Sequence, residues 1–167
     1  PRPVYPERRT ATQVQDMPFQ DLRSFLEALE AAGDLVRIHR EVSPRHEIAA
    51  HIRKTSDTDG PAILFEKVKG SAIRVAGGVF ANRRKAVRSL DSGADQVVAA
   101  FVQAMDAPLT TRLVDSGPCK DVVLTGSAVD LTRWPIPTYC EHDSGPFITA
   151  AVTLSRDPVD GGKNASI

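Results

Sequence analysis

The chain has 167 residues, 41% of them hydrophobic and 25% charged, the composition of a globular protein long enough for one ordinary domain or one and a half small ones. Its 21 basic residues balance 21 acidic ones, so no net field favours nucleic acid or an anionic membrane, and a 5% aromatic content argues against a base-stacking surface. No run approaches ~18 consecutive apolar residues, so no membrane span is expected.

Residues 1–18 are rich in proline and charge without periodicity and are expected to form an extended arm, packed on a neighbour or disordered. Arg2, Glu7, Arg8 and Arg9, with no apolar core, do not read as a secretory signal, so a cytoplasmic protein is expected. A helix follows. Leu22, Phe25, Leu26 and Leu29 recur at helical spacing, Asp21 stands at the N-cap and Gly33 at the stop. Leu35 to Arg40 alternates apolar and polar residues as a half-buried strand does. Ser43-Pro44 opens a second helix over about His46 to Lys54.

Gly60-Pro61 breaks that helix, and Ala62 to Phe65 is a short buried strand. Lys69-Gly70 turns the chain into a third strand, Ile73 to Phe80, interrupted by Gly77-Gly78. Two helices are predicted next, at Arg83 to Leu90 and Asp95 to Met105, closed by Pro108. This order predicts a mixed sheet with helices packed on it, an N-terminal α/β domain over residues 19–108.

From residue 109 the texture changes to short β-prone pieces: Asp121 to Leu124, Val129 to Arg133, Phe147 to Leu154 and Asn164 to Ile167. Prolines at 118, 135, 137, 146 and 158 punctuate them, as in the opening strands of a barrel or sandwich. The fold class expected is therefore α+β. Asp157 to Gly162 supplies turn residues, and the hairpin's second arm has barely begun at Ile167, so the chain reads as the front part of an enzyme.

Residue chemistry alone identifies no site. His46 and His51 lie about 140° apart around a helix and cannot chelate one metal as an i, i+4 pair could. Glu47 and His51 share a face, but as a solvated surface contact, and nothing recruits His39. Cys119 and Cys140 fit neither a metal motif nor a disulfide framework and read as buried or partly buried reduced thiols. Glu141-His142-Asp143 is the densest titratable cluster, yet neighbours in an extended loop point apart, so a solvated loop is the better reading. The Asp157 to Lys163 run lacks the third and fifth oxygen ligands of a calcium loop and reads as a turn. No phosphate-binding glycine motif and no nucleophile triad is present.

Several stretches, in order, resemble the N-terminal part of the UbiD family of decarboxylases. They are Asp21 to Glu27 followed by Gly33 to Ile38, then Gly60 to Gly70, Pro135 to Thr138, Gly145 to Thr149, and Asp157 to Ile167. The resemblance implies the start of a split β-barrel flavin-binding domain over residues 109–167. It also implies non-oxidative, reversible decarboxylation of an aromatic, heteroaromatic or α,β-unsaturated acid. Prenylated FMN would serve as the electron sink, supplied by a separate flavin prenyltransferase and bound with Mn²⁺ or Mg²⁺ and K⁺.

By position, the resemblance makes Asn164 a ligand in the divalent-metal site and the Ala165 carbonyl a ligand of K⁺. Ser166 and Ile167 fall where the main chain lines the cofactor. The remaining metal ligands and the Glu-Arg-Glu catalytic set belong beyond Ile167, so no catalytic residue is expected here, and the 167 residues alone should be inactive. Activity would need the remainder of the enzyme, in the same or a separate chain, and a homo-oligomer is expected. Two rivals differ in class: a stand-alone assembly or regulatory domain, and a reductase-like barrel using ordinary FMN.

Overall fold

In the computed structural model of the chain, the described residues are 19–90, 93, 96–107 and 114–166. The expected arm at 1–18 therefore lies outside them. The first ordered unit runs α1 (Leu22–Ala31), β1 (Leu35–Val42), α2 (Glu47–Asp57), β2 (Ala62–Val68), β3 (Val75–Gly77), α3 (Arg83–Ser89) and α4 (Val97–Asp106). Local chemistry starts α1 where expected: Asp21 accepts from the Ser24 N–H at 2.8 Å, and the Ser24 hydroxyl faces the Asp21 N–H at 3.2 Å. Gly33, at φ +73°, ends it in the left-handed conformation.

The sheet order is β1-β2-β3, with β1 and β2 parallel and β3 antiparallel to β2. A parallel pair needs a crossover, and α2 provides it. Ala62 and Leu64 pack with Phe25, Leu29 and Leu35 beneath α1. Ile63 and Phe65 pack with Val42, Ile48 and Val68 beneath α2. The apolar run of β2 is thus covered on both faces, as continuous apolar strands are.

Several sequence expectations change. The alternation read in β1 is interrupted by a register shift between Ile38 and Glu41, and the strand runs on to Val42. The third strand contracts to Val75–Gly77 because Gly78 takes φ +67° and leaves the pleat. The predicted strands at Asp121 to Leu124 and Val129 to Arg133 are absent. Loop and single 3₁₀ turns at Gly126–Ala128 and Leu131–Arg133 stand there instead. β-prone residues form a strand only against a partner ladder, and among the described residues no strand pairs with them. The run Phe147 to Leu154 is likewise not one strand. The second sheet is the hairpin β4 (Thr153–Arg156) and β5 (Lys163–Ser166), with arms of equal length.

Polar contacts tie the elements together. Arg84 bridges to the nearly buried Asp34 at 2.7 Å, and the buried Lys85 donates to the Gly60 carbonyl at 2.7 Å. Burial pushes the Lys85 ammonium below its ordinary value. On β1, Arg37 pairs with Glu30 and Glu66, and its hydrogen bonds hold both carboxyls below their usual 4.5.

A carboxylate lowered in the folded state adds stability that is complete above its unfolded value and is lost as pH falls through the folded one. Stability in denaturant titrations is therefore expected to decline below about pH 4.5, and Arg37→Gln should flatten that decline. An unchanged pH slope in the variant would remove these carboxylates as its cause. Packing makes a second prediction. A Cβ on Gly77 would lie 2.2 Å from Ile52 Cδ1 and 2.5 Å from its Cγ1, too close to clear by moving one methyl. Gly77→Ala should cost about 1–3 kcal/mol in chemical denaturation, and adding Ile52→Ala should cost less than the sum of the two single changes.

Candidate functional site

The residues that carry the functional resemblance stand on the β4–β5 hairpin. Its turn is built by its own side chains. Asp157 Oδ1 accepts from the N–H groups of Val159 and Asp160, and Asp160 Oδ1 accepts from that of Gly162. Gly161 takes φ +74°, its N–H donating to the Asp157 carbonyl, while the Asp157 N–H donates to the Gly162 carbonyl. The run that superficially matches a calcium loop is thus a turn whose two aspartates bind backbone.

The register pairs Thr153 with Ser166, Leu154 with Ala165, Ser155 with Asn164 and Arg156 with Lys163. Opposed residues share a face, so Thr153, Ser155, Asn164 and Ser166 line one face with three hydroxyls and an amide. Leu154, Arg156, Lys163 and Ala165 line the other. With closure at Asp157–Gly162, alternation makes Ser155–Asn164 and Thr153–Ser166 the hydrogen-bonded pairs. Leu154–Ala165 is then a non-hydrogen-bonded pair, and the Ala165 N–H and C=O turn outward from the hairpin. Arg156 and Lys163 oppose like charges directly, an unfavourable pair unless screened or neutralised. An open concavity of about 360 Å³ lies along Ser155 to Asp157, Asp160 and Gly162 to Asn164.

The approach to the hairpin is anchored on the first unit. Pro135 and Pro137 are the only buried residues among the described residues from 114 to 166. The His46 N–H donates to the Thr138 carbonyl at 3.0 Å, and the Thr138 N–H donates to the Pro44 carbonyl at 3.1 Å. Farther on, the Phe147 N–H donates to the Pro137 carbonyl, and the Tyr139 and Phe147 rings lie 5.0 Å apart. The loop that receives this segment is braced by Glu47, which accepts from the Ser43 N–H at 2.7 Å and pairs with Arg40. The Ser43 N–H first, then Arg40, holds the Glu47 carboxyl below its ordinary value.

Sequence reasoning missed this bracket, because Ser43 and Glu47 stand four apart, one more than the capping-box spacing, and the N-cap of α2 is His46, which makes no side-chain cap. The histidines do not converge: His39 is exposed, His46 supplies backbone at φ 66°, and His51 Nε2 sits 3.0 Å from Arg40 with its ring against Phe65. Asp143 accepts from the N–H groups of Tyr139 and Cys140, which makes Glu141-His142-Asp143 a loop clasp. Cys119 and Cys140 are both exposed, against the buried or partly buried thiols expected, because the segment carrying them has almost no cover. Among the described residues, no group of three or more His, Cys, Asp or Glu side chains could hold a metal. Asn164, Ala165 and Ser166 stand together on β5; Ile167 lies outside the described residues. No helix among the described residues is long and apolar enough to cross a membrane.

Two family profiles match in succession. The 3-octaprenyl-4-hydroxybenzoate carboxy-lyase N-terminal domain covers residues 26–105, and the Rift-related domain of the same carboxy-lyase covers residues 112–167. The chain belongs to the UbiD family of decarboxylases, of which it matches the N-terminal region. It is 38% identical over 151 residues to the "Uncharacterized protein in cooM 5'region" of Rhodospirillum rubrum, an alignment covering 88% of this chain and 32% of that protein. Its fold is similar to an evolved dimeric form of the UbiD-class enzyme HmfF from Pelotomaculum thermopropionicum, in complex with prFMN. The TM-score is 0.80 at 35% identity, over 87% of this chain and 34% of that one. Klebsiella pneumoniae 3,4-dihydroxybenzoic acid decarboxylase (AroY) gives a TM-score of 0.78 at 27% identity, covering 89% of this chain and 34% of that one. The chain thus spans about a third of the length of these relatives.

The turn yields a direct test. A Cβ on Gly161 meets nothing within 4 Å, so its substitution costs backbone conformation alone. Gly161→Ala should destabilise the hairpin by about 1–2 kcal/mol, read as roughly tenfold faster amide exchange at Asn164 by NMR. Unchanged exchange would show that the turn does not hold the arms together.

Proposed function

We propose that the chain is the N-terminal part of a non-oxidative, reversible decarboxylase acting on aromatic, heteroaromatic or α,β-unsaturated carboxylic acids with prenylated FMN. The observation that carries this reading is the polar face of β5 falling inside the Rift-related match, with Asn164 and Ser166 side by side on it. Residues 19–108 form the α/β domain in this reading, and residues 109–167 open a split β-barrel completed by later sequence. The prFMN complex of HmfF and the aromatic acid named for AroY support the cofactor and the substrate class.

The donor set fits the implied group in part. The amide oxygen of Asn164 is a suitable hard ligand for Mn²⁺ or Mg²⁺, and the outward carbonyl of Ala165 is available to K⁺. Ser166 and Ile167 would present main chain to the cofactor. Thr153 and Ser155 share the Asn164 face and can orient the amide by hydrogen bonding. When bound, prenylated FMN supplies the electron sink for the charge left as CO₂ departs from an sp² carbon. This chain's contribution is to bind and orient; the proton-handling residues belong to the rest of the polypeptide. A flavin prenyltransferase would supply the cofactor, and the working enzyme would be a homo-oligomer.

The test is CO₂ release from a panel of such acids by the relative-length polypeptide loaded with prenylated FMN, Mn²⁺ and K⁺. Turnover is expected there and not with the 167 residues alone. Asn164→Ala should lower metal affinity and turnover by at least roughly 10–100-fold. Failure with every acid would sink the reaction assigned. Full activity in the variant would sink only the site.

A further inference from the structure

Arg40, Glu47 and His51 meet at the head of α2, beside the seat of the Rift-related segment. Arg40 pairs with Glu47 through Nη1, and its Nη2 lies 3.0 Å from His51 Nε2. A guanidinium has N–H donors, no acceptor, and keeps its charge at every working pH. His51 Nε2 must therefore accept, which fixes the imidazole as neutral with its proton on Nδ1. Glu47 turns its other oxygen to the Ser43 N–H at 2.7 Å. Ser43 begins the loop whose Pro44 carbonyl and His46 N–H hold Thr138. The ring nitrogen is thus joined to the seat through Arg40, Glu47 and Ser43 in turn.

From β1 Arg40 reaches the ring, and from β2 the uncharged Phe65 ring faces it at 5.9 Å. Lys67, farther along β2, stands opposite Glu41 in the register. On α2 itself Glu47 lies one turn before His51 and the exposed Lys54 one turn after it. The docked residues Pro135 to Thr138 bring no charged side chain. Histidine is the side chain that gains its proton between about pH 8 and 5. An imidazolium here would set donor against donor and cation against cation at Arg40, a separation at which like charges repel even in water. It would also draw Glu47 along the helix, in competition with Arg40 and Ser43. Both changes act on the same brace.

We infer that His51 is a proton-sensitive latch on this seat: the neutral ring holds the Arg40–Glu47–Ser43 brace closed against Thr138, and the protonated ring releases it. The latch lies where the first unit meets the Rift-related segment, so it sets how firmly that segment is mounted as pH changes. It is independent of the reaction assigned above, and its test needs no turnover. The Arg40 side chain is 57% exposed, so the effect is that of a partly screened pair, about three- to fivefold in the opening of the seat. Glu47, held below its ordinary value by the Ser43 N–H and then by Arg40, stays ionised while histidine titrates.

Amide hydrogen exchange read by mass spectrometry on the relative-length protein measures the seat, in the peptides that carry His46 and Thr138. Protection is referred to the same peptides unfolded at the same pH, which removes the intrinsic pH dependence of exchange. It is expected to fall about three- to fivefold from about pH 7.5 to about pH 5.5, while peptides from β2 keep theirs. His51→Gln retains a neutral acceptor and should leave the seat protected at both pH values. Arg40→Gln removes the cation and should leave it poorly protected at both. His46→Gln, which alters the other imidazole of this corner, should preserve the fall. Equal protection at the two pH values in the unaltered protein overturns the inference, as does a fall that persists in His51→Gln or in Arg40→Gln. A fall abolished by His46→Gln, or one shared equally by the β2 peptides, overturns it as well, by moving the titration to the other ring or to the whole fold.

Discussion

Ala62, Ile63, Leu64 and Phe65 occupy successive positions of β2, so their side chains point alternately to opposite faces of the sheet, yet all four are buried. Such a strand needs cover on both sides, and the rest of the first unit follows from that need. α1 covers one face and α2 the other. Because α2 is also the crossover between the parallel strands β1 and β2, its position is set by connectivity and by burial together. β2 then lies in the middle, and β1 and β3 become the edges.

The third helix is held differently. α3 has one buried residue, Lys85, and its anchoring is polar. Asp34 precedes β1 and Gly60 lies just before β2. Arg84 reaches the first and Lys85 the carbonyl of the second, so α3 clamps the leading ends of the two parallel strands. A buried ammonium is costly unless its hydrogen bonds are made, which makes the Gly60 carbonyl a specific partner. Arg37 plays a related part on the outer surface of the sheet, joining α1 to β2 through Glu30 and Glu66. Their worth lies in fixing geometry, since partly exposed ion pairs add little stability.

Residues 114–166 obey another rule. Their order comes from short-range hydrogen bonds, as in the aspartate-built turn of the hairpin, and from docking on the first unit, where Pro135 to Thr138 meets the head of α2 and the Ser71 hydroxyl donates to the Arg133 carbonyl. Val122, Val123, Leu131, Ile148 and Leu154 remain more than half exposed. The surface with the strongest claim to function is thus presented by a locally folded hairpin, while the packed unit beside it supplies the mount. Asn164 gains its neighbours Ser155, Thr153 and Ser166 from strand register, and register here is set by a turn of fixed length.

The sequence by itself determined what short-range physics controls. The cap at Asp21, the stop at Gly33, the buried run of β2 and the Asp157 to Gly162 turn could all be read from residue type and spacing, because each depends on neighbours a few positions away. The family resemblance, too, was carried by ordered local stretches. Tertiary structure decided the rest. Whether a β-prone stretch becomes a strand depends on a partner ladder, so Asp121 to Leu124 became loop while Thr153 to Arg156 paired with β5. The Ser43–Glu47–Arg40 brace, the seat for Thr138 and the fit of Gly77 against Ile52 join residues distant in sequence or on different elements. So does the hairpin's polar face, since alternation along β4 or β5 places residues on faces but only register selects which of them meet. These contacts exist only once the chain has folded, because pairing and burial are properties of neighbours in space.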